Sequence, residues 1–267
     1  MRDTVTSPQD LESFDTFVAI IARLRGPDGC PWDLKQTHAS LKRYLREECA
    51  EVLDAIDGGD PDALAEELGD VLLQVGLHAQ IGADEGTFTL ADVLKHVNGK
   101  LVRRHPHVFG DVEVSGAEEV AANWRKLKQA EHGERESVLD GVPKALPALA
   151  YSQEIHTRAA RTGFDWPDMA GVLDKVQEEL RELDEAKTPV ELEHELGDVV
   201  ATLVNVARKL DIDIEGALRK ANRRFEGRFR HMEAAARGLG TGIEELPLAR
   251  QEELWQDAKR AEREAKD

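Results

Sequence analysis

An all-α fold in two related halves is what this sequence predicts. Three observations carry it: apolar residues recur with helical period almost end to end, strand formers are scarce, and one set of landmarks occurs twice in the same order. Aromatic residues make up only 5% of the chain, while Ala, Leu, Glu, Asp and Arg dominate, which favours helix over sheet. With 41% hydrophobic and 33% charged residues, the 267-residue chain reads as soluble and globular, long enough for one large core or two modest ones.

The periodicity places helices near 10–25, 38–57, 61–83, 89–104 and 117–132, then near 144–160, 169–187, 189–210, 213–237 and 243–264. Asp60-Pro61 and Thr188-Pro189 each put a capping side chain before a proline in the first turn, the usual grammar of a helix start. Gly58-Gly59 ends the helix before it. The polar, punctuated stretch from Glu131 through Gly141-Val142-Pro143 reads as a connection. The expected organisation is a first helical unit over 10–132, a linker over 133–143 and a second unit over 144–264.

The duplication rests on five landmarks. Glu47-Glu48-Cys49-Ala50-Glu51 returns as Glu178-Glu179-Leu180-Arg181-Glu182, and Glu67-Leu68-Gly69-Asp70 as Glu195-Leu196-Gly197-Asp198. Asn98, Lys100 and Arg104 return as Asn222, Arg224 and Arg228. Trp124 with Lys128 returns as Trp255 with Lys259, and Trp32 pairs with Trp166. The spacing between copies changes only by loop-sized amounts, so the chain reads as a tandem duplication.

Charge and cysteine content exclude several classes. A net charge of -18, from 53 acids against 35 bases, argues against direct nucleic-acid binding through a basic face. A small polyanion can still bind where a divalent metal inverts the local field. No apolar run approaches the roughly 20 residues that span a bilayer, and the N-terminus lacks a signal-peptide core, so neither a membrane nor export is expected. Cys30 and Cys49 are too few for a disulfide framework or a zinc site. They read as one loop thiol and one buried helical thiol in a reducing, cytoplasmic setting.

The chemistry lies in the repeated acids. Successive helical residues turn by about 100°, so Glu47, Glu48 and Glu51 share one arc. The stripe through Glu48 also carries Leu41, Leu45 and Val52, and a charged carboxylate is seldom placed on such a stripe without a partner. Glu67 and Asp70 lie three apart beside Leu64 and Val71 on the next helix. Glu48, Glu51, Glu67 and Asp70 can therefore converge from two antiparallel helices, as can Glu179, Glu182, Glu195 and Asp198 in the second half. Oxygen ligands without Cys or His suit magnesium, with manganese as a substitute. A solvated helix face explains acids such as Asp184 and Glu185, but not acids that interrupt apolar stripes in both halves. Glu191-x-x-His194 has the spacing of a di-iron ligand pair, but the first half has Glu66 where the second has His194, so His194 reads as an outer or surface residue.

Cations and indoles complete the pattern. Lys100 and Arg104 share a helical face, as do Arg224 and Arg228, with Asn98 and Asn222 nearby. Trp124 and Lys128 are four apart, as are Trp255 and Lys259. Cations beside a metal suit a polyphosphate, and a flat indole beside a cation suits a base or ribose.

The run E-E-x-x-E, then E-L-G-D, N-x-K/R and W-x-x-x-K resembles the MazG nucleoside triphosphate pyrophosphohydrolases of two-domain type. So do Cys30-Pro31-Trp32-Asp33, the run from Arg103 to Phe109, and Gly163-Phe164-Asp165-Trp166. The resemblance implies an all-α nucleotide pyrophosphatase fold, a magnesium-binding helical bundle, a homodimer, and a housekeeping activity on ordinary and aberrant nucleoside triphosphates. It implies that Glu179, Glu182, Glu195 and Asp198 hold magnesium and that Glu178, matched by Glu47, orients or deprotonates the attacking water. It implies further that Arg224, Arg228 and Lys259 hold phosphates, with Asn205, Asn222 and Trp255 near the nucleoside. The matching first-half set is Glu48, Glu51, Glu67, Asp70, Asn98, Lys100, Arg104, Trp124 and Lys128. Such relatives tend to work through the second half, and Leu77 stands in the first half where the second has Asn205. Indole and guanidinium read ring faces and phosphates rather than base edges, so broad base choice is expected. Two rival readings are a non-enzymatic helical regulator and a di-iron oxidase.

Overall fold

The computed structural model describes residues 10–131 and 136–264. Regular structure among them is entirely helical. The chain divides into two compact units, Met1–Gly133 and Glu134–Asp267.

The first unit runs α1 (Phe14–Leu24), α2 (Pro31–Leu34), α3 (Lys42–Gly58), α4 (Pro61–Asp84), α5 (Leu90–Arg104), α6 (Pro106–Phe109) and α7 (Ala117–Glu131). Its spine is the hairpin of α3 and α4. Gly59 ends α3 at φ 71°, a left-handed turn that favours glycine. Asp60 then caps α4 by accepting from the Asp62 and Ala63 amides, with Pro61 in the first turn. So short a connection forces α3 and α4 to run antiparallel, and they pack along their lengths. The core beside them gathers Ile21, Leu41, Leu77 and Ile81, flanked by Phe17, Leu24, Tyr44 and Leu73. Gly76 lets α1 approach, because a Cβ there would sit 2.7 Å from Phe17 Cζ. Thr89 and Asp92 form a reciprocal capping box at the start of α5.

The second unit runs α8 (Ala148–Ala160), α9 (Met169–Glu185), α10 (Pro189–Lys209), α11 (Ile214–Gly238), a 3₁₀ turn (Ile243–Glu245) and α12 (Leu248–Glu264). Its α9–α10 hairpin repeats the α3–α4 hairpin. Asp168 caps α9, and Thr188 with Glu191 boxes the start of α10. Val172, Val199, Val204, Met232, Ala236 and Leu254 form the buried interior.

Several expected boundaries shift. The helix expected over 243–264 breaks, because Pro247 holds Leu246 extended at ψ 139° and leaves only a 3₁₀ turn before it. The helix expected from 144 begins at Ala148, after Pro147. Residues 38–41 precede α3 rather than opening it, and Pro31 and Pro106 start two one-turn helices that the periodicity did not predict. Cys49 was expected inside; it is exposed on α3. Part of the expected linker, 133–135, lies outside the described residues. None of the described helices is long and apolar enough to cross a membrane.

The loop before α9 is fastened to the end of α10 by charge. Asp165 accepts from Arg208 Nη1 at 3.2 Å and from Lys209 Nζ at 2.9 Å. These bonds, the Arg208 bond foremost, hold the Asp165 carboxyl down to about 2 from its ordinary 3.8. A depressed carboxylate contributes stability that is present above the unfolded value of 3.8 and is lost as pH falls towards about 2. Asp165→Asn should therefore lower the melting temperature by about 4 °C at neutral pH. Calorimetry down the acid range should show that gap closing below pH 3.8. An equal gap at all pH values would mean that packing, not charge, is what Asp165 supplies.

Candidate active site

Each hairpin brings three carboxylates together. Glu48 and Glu51 on α3 meet Glu67 on α4, one oxygen from each lying within 4.8 Å of the other two. Glu179 and Glu182 on α9 meet Glu195 on α10 in the same way. The fourth expected acids stand alongside. Asp70 lies close enough to Glu48 to raise its pKa, and Asp198 forms a further group with Glu195 and His194. The helical pitch explains the convergence: Glu48 and Glu51 are one turn apart, as are Glu67 and Asp70, and both pairs face the seam of the hairpin.

The electrostatics are those of desolvation first, with repulsion between neighbouring carboxylates added to it. Glu48 is raised above 4.5 by desolvation, then by Asp70 and Glu51. Glu67 is raised by desolvation, then by Glu51 and Asp70. Glu182 is raised by desolvation, with Glu179 and Glu195 adding to it and Lys175 opposing. A cluster that binds protons more readily than free glutamate is short of positive charge. An all-oxygen donor set under that strain fits a hard divalent cation.

The two clusters are not alike in detail. In the second, Lys175 Nζ lies 2.7 Å from Glu178 and 2.7 Å from Glu179. That contact lowers the pKa of Glu178 and keeps it ionised. In the first, Glu47 pairs with Arg43 at 3.1 Å. The sequence reading missed Lys175, although its position three and four residues before the two acids is the ordinary spacing of helical ion pairs. It also missed Gln74, which lies four residues beyond Asp70 and donates to Glu48 at 3.3 Å.

The cations and indoles stand on adjoining helices, α5 packing against α4 and α7, and α11 against α10 and α12. The Arg104 guanidinium lies 4.9 Å from the Trp124 ring, and Arg228 lies 5.4 Å from Trp255. Arg228 also meets Glu262 at 2.8 Å. Asn98, Lys100, Asn222 and Arg224 are exposed on these helices, and Lys259 is half-buried. The side chain of Lys128 lies outside the described residues. Asn205 is buried: its Nδ2 donates to the Ala201 carbonyl at 3.3 Å and its Oδ1 accepts from Arg208 at 3.1 Å. Leu77, in the same register, is buried in the first core, so the two residues share an inward position. His194 is exposed, 3.3 Å from Asp198. The carboxylate of Glu191 accepts from the Lys187 amide at 2.8 Å and the Thr188 amide at 3.1 Å. Glu191 thus caps its own helix, and the Glu-x-x-His spacing is explained without iron.

The repulsion has a testable sign. A raised carboxylate pKa means that the folded cluster is penalised as pH rises through the carboxylate range and relieved as pH falls. Glu48→Gln should raise the melting temperature of metal-free protein by about 2 °C at neutral pH. The gain should vanish below the ordinary value of 4.5. A lower melting temperature at neutral pH would show that Glu48 stabilises the fold instead.

Comparison with known proteins converges on one family. Residues 36–109, which span α3 to α6, match the MazG nucleotide pyrophosphohydrolase domain. The nucleoside triphosphate pyrophosphohydrolase/pyrophosphatase MazG of Thermotoga maritima is 48% identical over 92% of this chain and 95% of its own length. A nucleoside triphosphate pyrophosphohydrolase of Escherichia coli K12 is 45% identical over 94% of this chain and 99% of its own. One from Mycolicibacterium smegmatis is 35% identical over 90% of this chain and 65% of its own. With two converging acid hairpins, and relatives this similar along nearly its whole length, the chain belongs to the MazG family.

Proposed function

We propose that this chain is a magnesium-dependent nucleoside triphosphate pyrophosphohydrolase with broad base choice. It would convert ribo- or deoxyribonucleoside triphosphate and water to the monophosphate and pyrophosphate. The observation that carries the reading is the convergence of three carboxylates within 4.8 Å on each hairpin, with arginine–tryptophan pairs on the adjoining helices. The activity named for the Thermotoga and Escherichia relatives supports it.

Glu179, Glu182, Glu195 and Asp198 would hold magnesium in the second unit, and Glu48, Glu51, Glu67 and Asp70 in the first. Magnesium, with manganese as substitute, would supply positive charge that lowers the pKa of the attacking water and neutralises phosphate charge. Glu178, kept ionised by Lys175, accepts a hydrogen bond from the attacking water and orients it in line with the α-phosphorus. Glu47 is its counterpart in the first unit. The water oxygen bonds to the α-phosphorus and gives its proton to Glu178 as the bond to the bridging oxygen breaks, and pyrophosphate leaves with that bond's electron pair. Arg224, Arg228 and Lys259 receive the phosphates, with Lys100, Arg104 and Lys128 in matching positions of the first unit and Asn98 matching Asn222. Trp255 and Trp124 offer flat faces to the base, and Asn222 lies near the sugar. Asn205 acts through Arg208, to which it is bonded. Face-on contacts discriminate bases weakly, which suits clearance of aberrant nucleotides from the pool.

A homodimer belongs to the same reading. Leu68, Leu72 and Val75 leave an exposed apolar stripe on α4, and Leu196, Val200 and Leu203 repeat it on α10. A second copy would cover such stripes. Two free cysteines suit a reducing cytoplasm.

Hydrolysis in heavy-oxygen water should place the label in the monophosphate and none in the pyrophosphate. Orthophosphate and diphosphate as first products would move the attack to the γ-phosphorus and overturn the reading. In the same assay Glu195→Ala and Asp198→Ala should remove most turnover, on the order of 100-fold, and Glu67→Ala and Asp70→Ala far less. The reverse pattern would assign catalysis to the first unit.

A further inference from the structure

Among the described residues of the first unit one buried polar side-chain atom is left over. Gln74 sits on α4 and is 4% exposed, and its Nε2 donates to Glu48 Oε1 at 3.3 Å. Its Oε1 is buried and has no hydrogen-bond partner among the described residues. A buried carboxamide oxygen without a donor is costly, and native proteins rarely keep one without a reason. The orientation of the amide follows from its neighbour. Turned over, Gln74 would present an oxygen to the carboxylate and lose the donor that holds it.

The corresponding residue of the second unit is Thr202, also buried, which cannot reach as far as glutamine. There the acid matching Glu48 is Glu179, and its partner is Lys175 at 2.7 Å. Tyr44 stands in the register of Lys175 in the first unit and packs on Trp32, with ring centroids 5.5 Å apart. The same carboxylate is therefore steadied by a neutral amide in one hairpin and by a cation in the other. An amide donor orients a carboxylate without cancelling its charge, whereas an ammonium ion competes directly with a metal.

Resting on the reading of the acid hairpins as cation sites, we propose that Gln74 is a positioning residue of the first-unit site. Nε2 aims Glu48, and Oε1 is held in reserve to accept a hydrogen bond from water carried in with a divalent cation. At the matching position the second unit has only the shorter Thr202, whose hydroxyl does not extend as far as a carboxamide. Gln74 thus makes the first unit the tighter cation site, while Lys175 loosens the second until a polyphosphate arrives. Oε1 finds its donor only when the cation and its water are present, so the orphaned atom and the acid cluster are two halves of one arrangement.

Manganese binding followed by electron paramagnetic resonance tests this without reference to turnover. The full chain carrying Glu195→Ala and Asp198→Ala reports on the first unit alone. In that background Gln74→Met removes both polar atoms at nearly constant volume, and Gln74→Thr copies the second unit. Both should weaken manganese binding about 10-fold, the scale of lost outer-sphere partners. The metal-free melting temperature should hold or rise with Gln74→Met, because an orphaned polar atom is gone. The matched change in the second unit, Thr202→Val, in a chain carrying Glu67→Ala and Asp70→Ala, should alter manganese affinity less than twofold. Unchanged manganese affinity with both Gln74 variants overturns the role of Gln74 while leaving the acid site intact. Absence of manganese binding in the parent Glu195→Ala, Asp198→Ala chain overturns the cation reading itself. A lowered melting temperature with unchanged affinity assigns Gln74 to packing only.

Discussion

The crowding of partly desolvated carboxylates on facing helices is the constraint around which both units are arranged. Three glutamates whose oxygens lie within 4.8 Å of one another would not gather in a molecule optimised for stability alone. The hairpin must be rigid enough to hold them together, and its construction supplies that rigidity. A left-handed Gly59 and a capped α4 fix the first turn, and a capping box at Thr188 fixes α10. Behind the acids, Leu41, Leu77 and Ile81 in one unit and Val172, Val199 and Val204 in the other are buried. The apolar side of each hairpin offsets the cost of the charged side.

The two acid hairpins do not carry equal clusters. Lys175 neutralises part of the second cluster, whereas the first keeps an amide at Gln74 and an ion pair at Arg43–Glu47. Arg228 is shared between Trp255 and Glu262. Arg104, over Trp124, is the more deeply buried of the two arginines. These are differences in charge and access rather than in backbone plan. They are the kind of change by which one copy can keep a rate while the other keeps an affinity.

Much of the fold is legible in the sequence because local rules and tertiary demands agree. Period, caps and proline positions locate α4, α5, α9, α10 and α11 to within a few residues. The rules fail where a proline acts on the residue before it, as at Leu246, and where a single turn is too short to show a period, as at Pro31 and Pro106. The acids are legible because charge interrupting an apolar stripe is conspicuous. Lys175 and Gln74 are less so, since a lysine or glutamine on a helix has many ordinary explanations and only the seam geometry singles these out. Asn205 illustrates the opposite limit. Its register against Leu77 can be read from the repeat, but its burial and its bond to Arg208 depend on packing that no spacing encodes.

On the proposed reading, each crowded acid cluster receives a divalent cation. Calorimetric titration of magnesium into the protein near pH 5, repeated in buffers of different ionisation enthalpy, measures the protons displaced on binding. If raised glutamates such as Glu48, Glu67 and Glu182 are the ligands, binding must release protons at that pH and release fewer as the pH rises to neutrality. Magnesium binding with no proton release near pH 5, or no binding at either pH, would contradict the account.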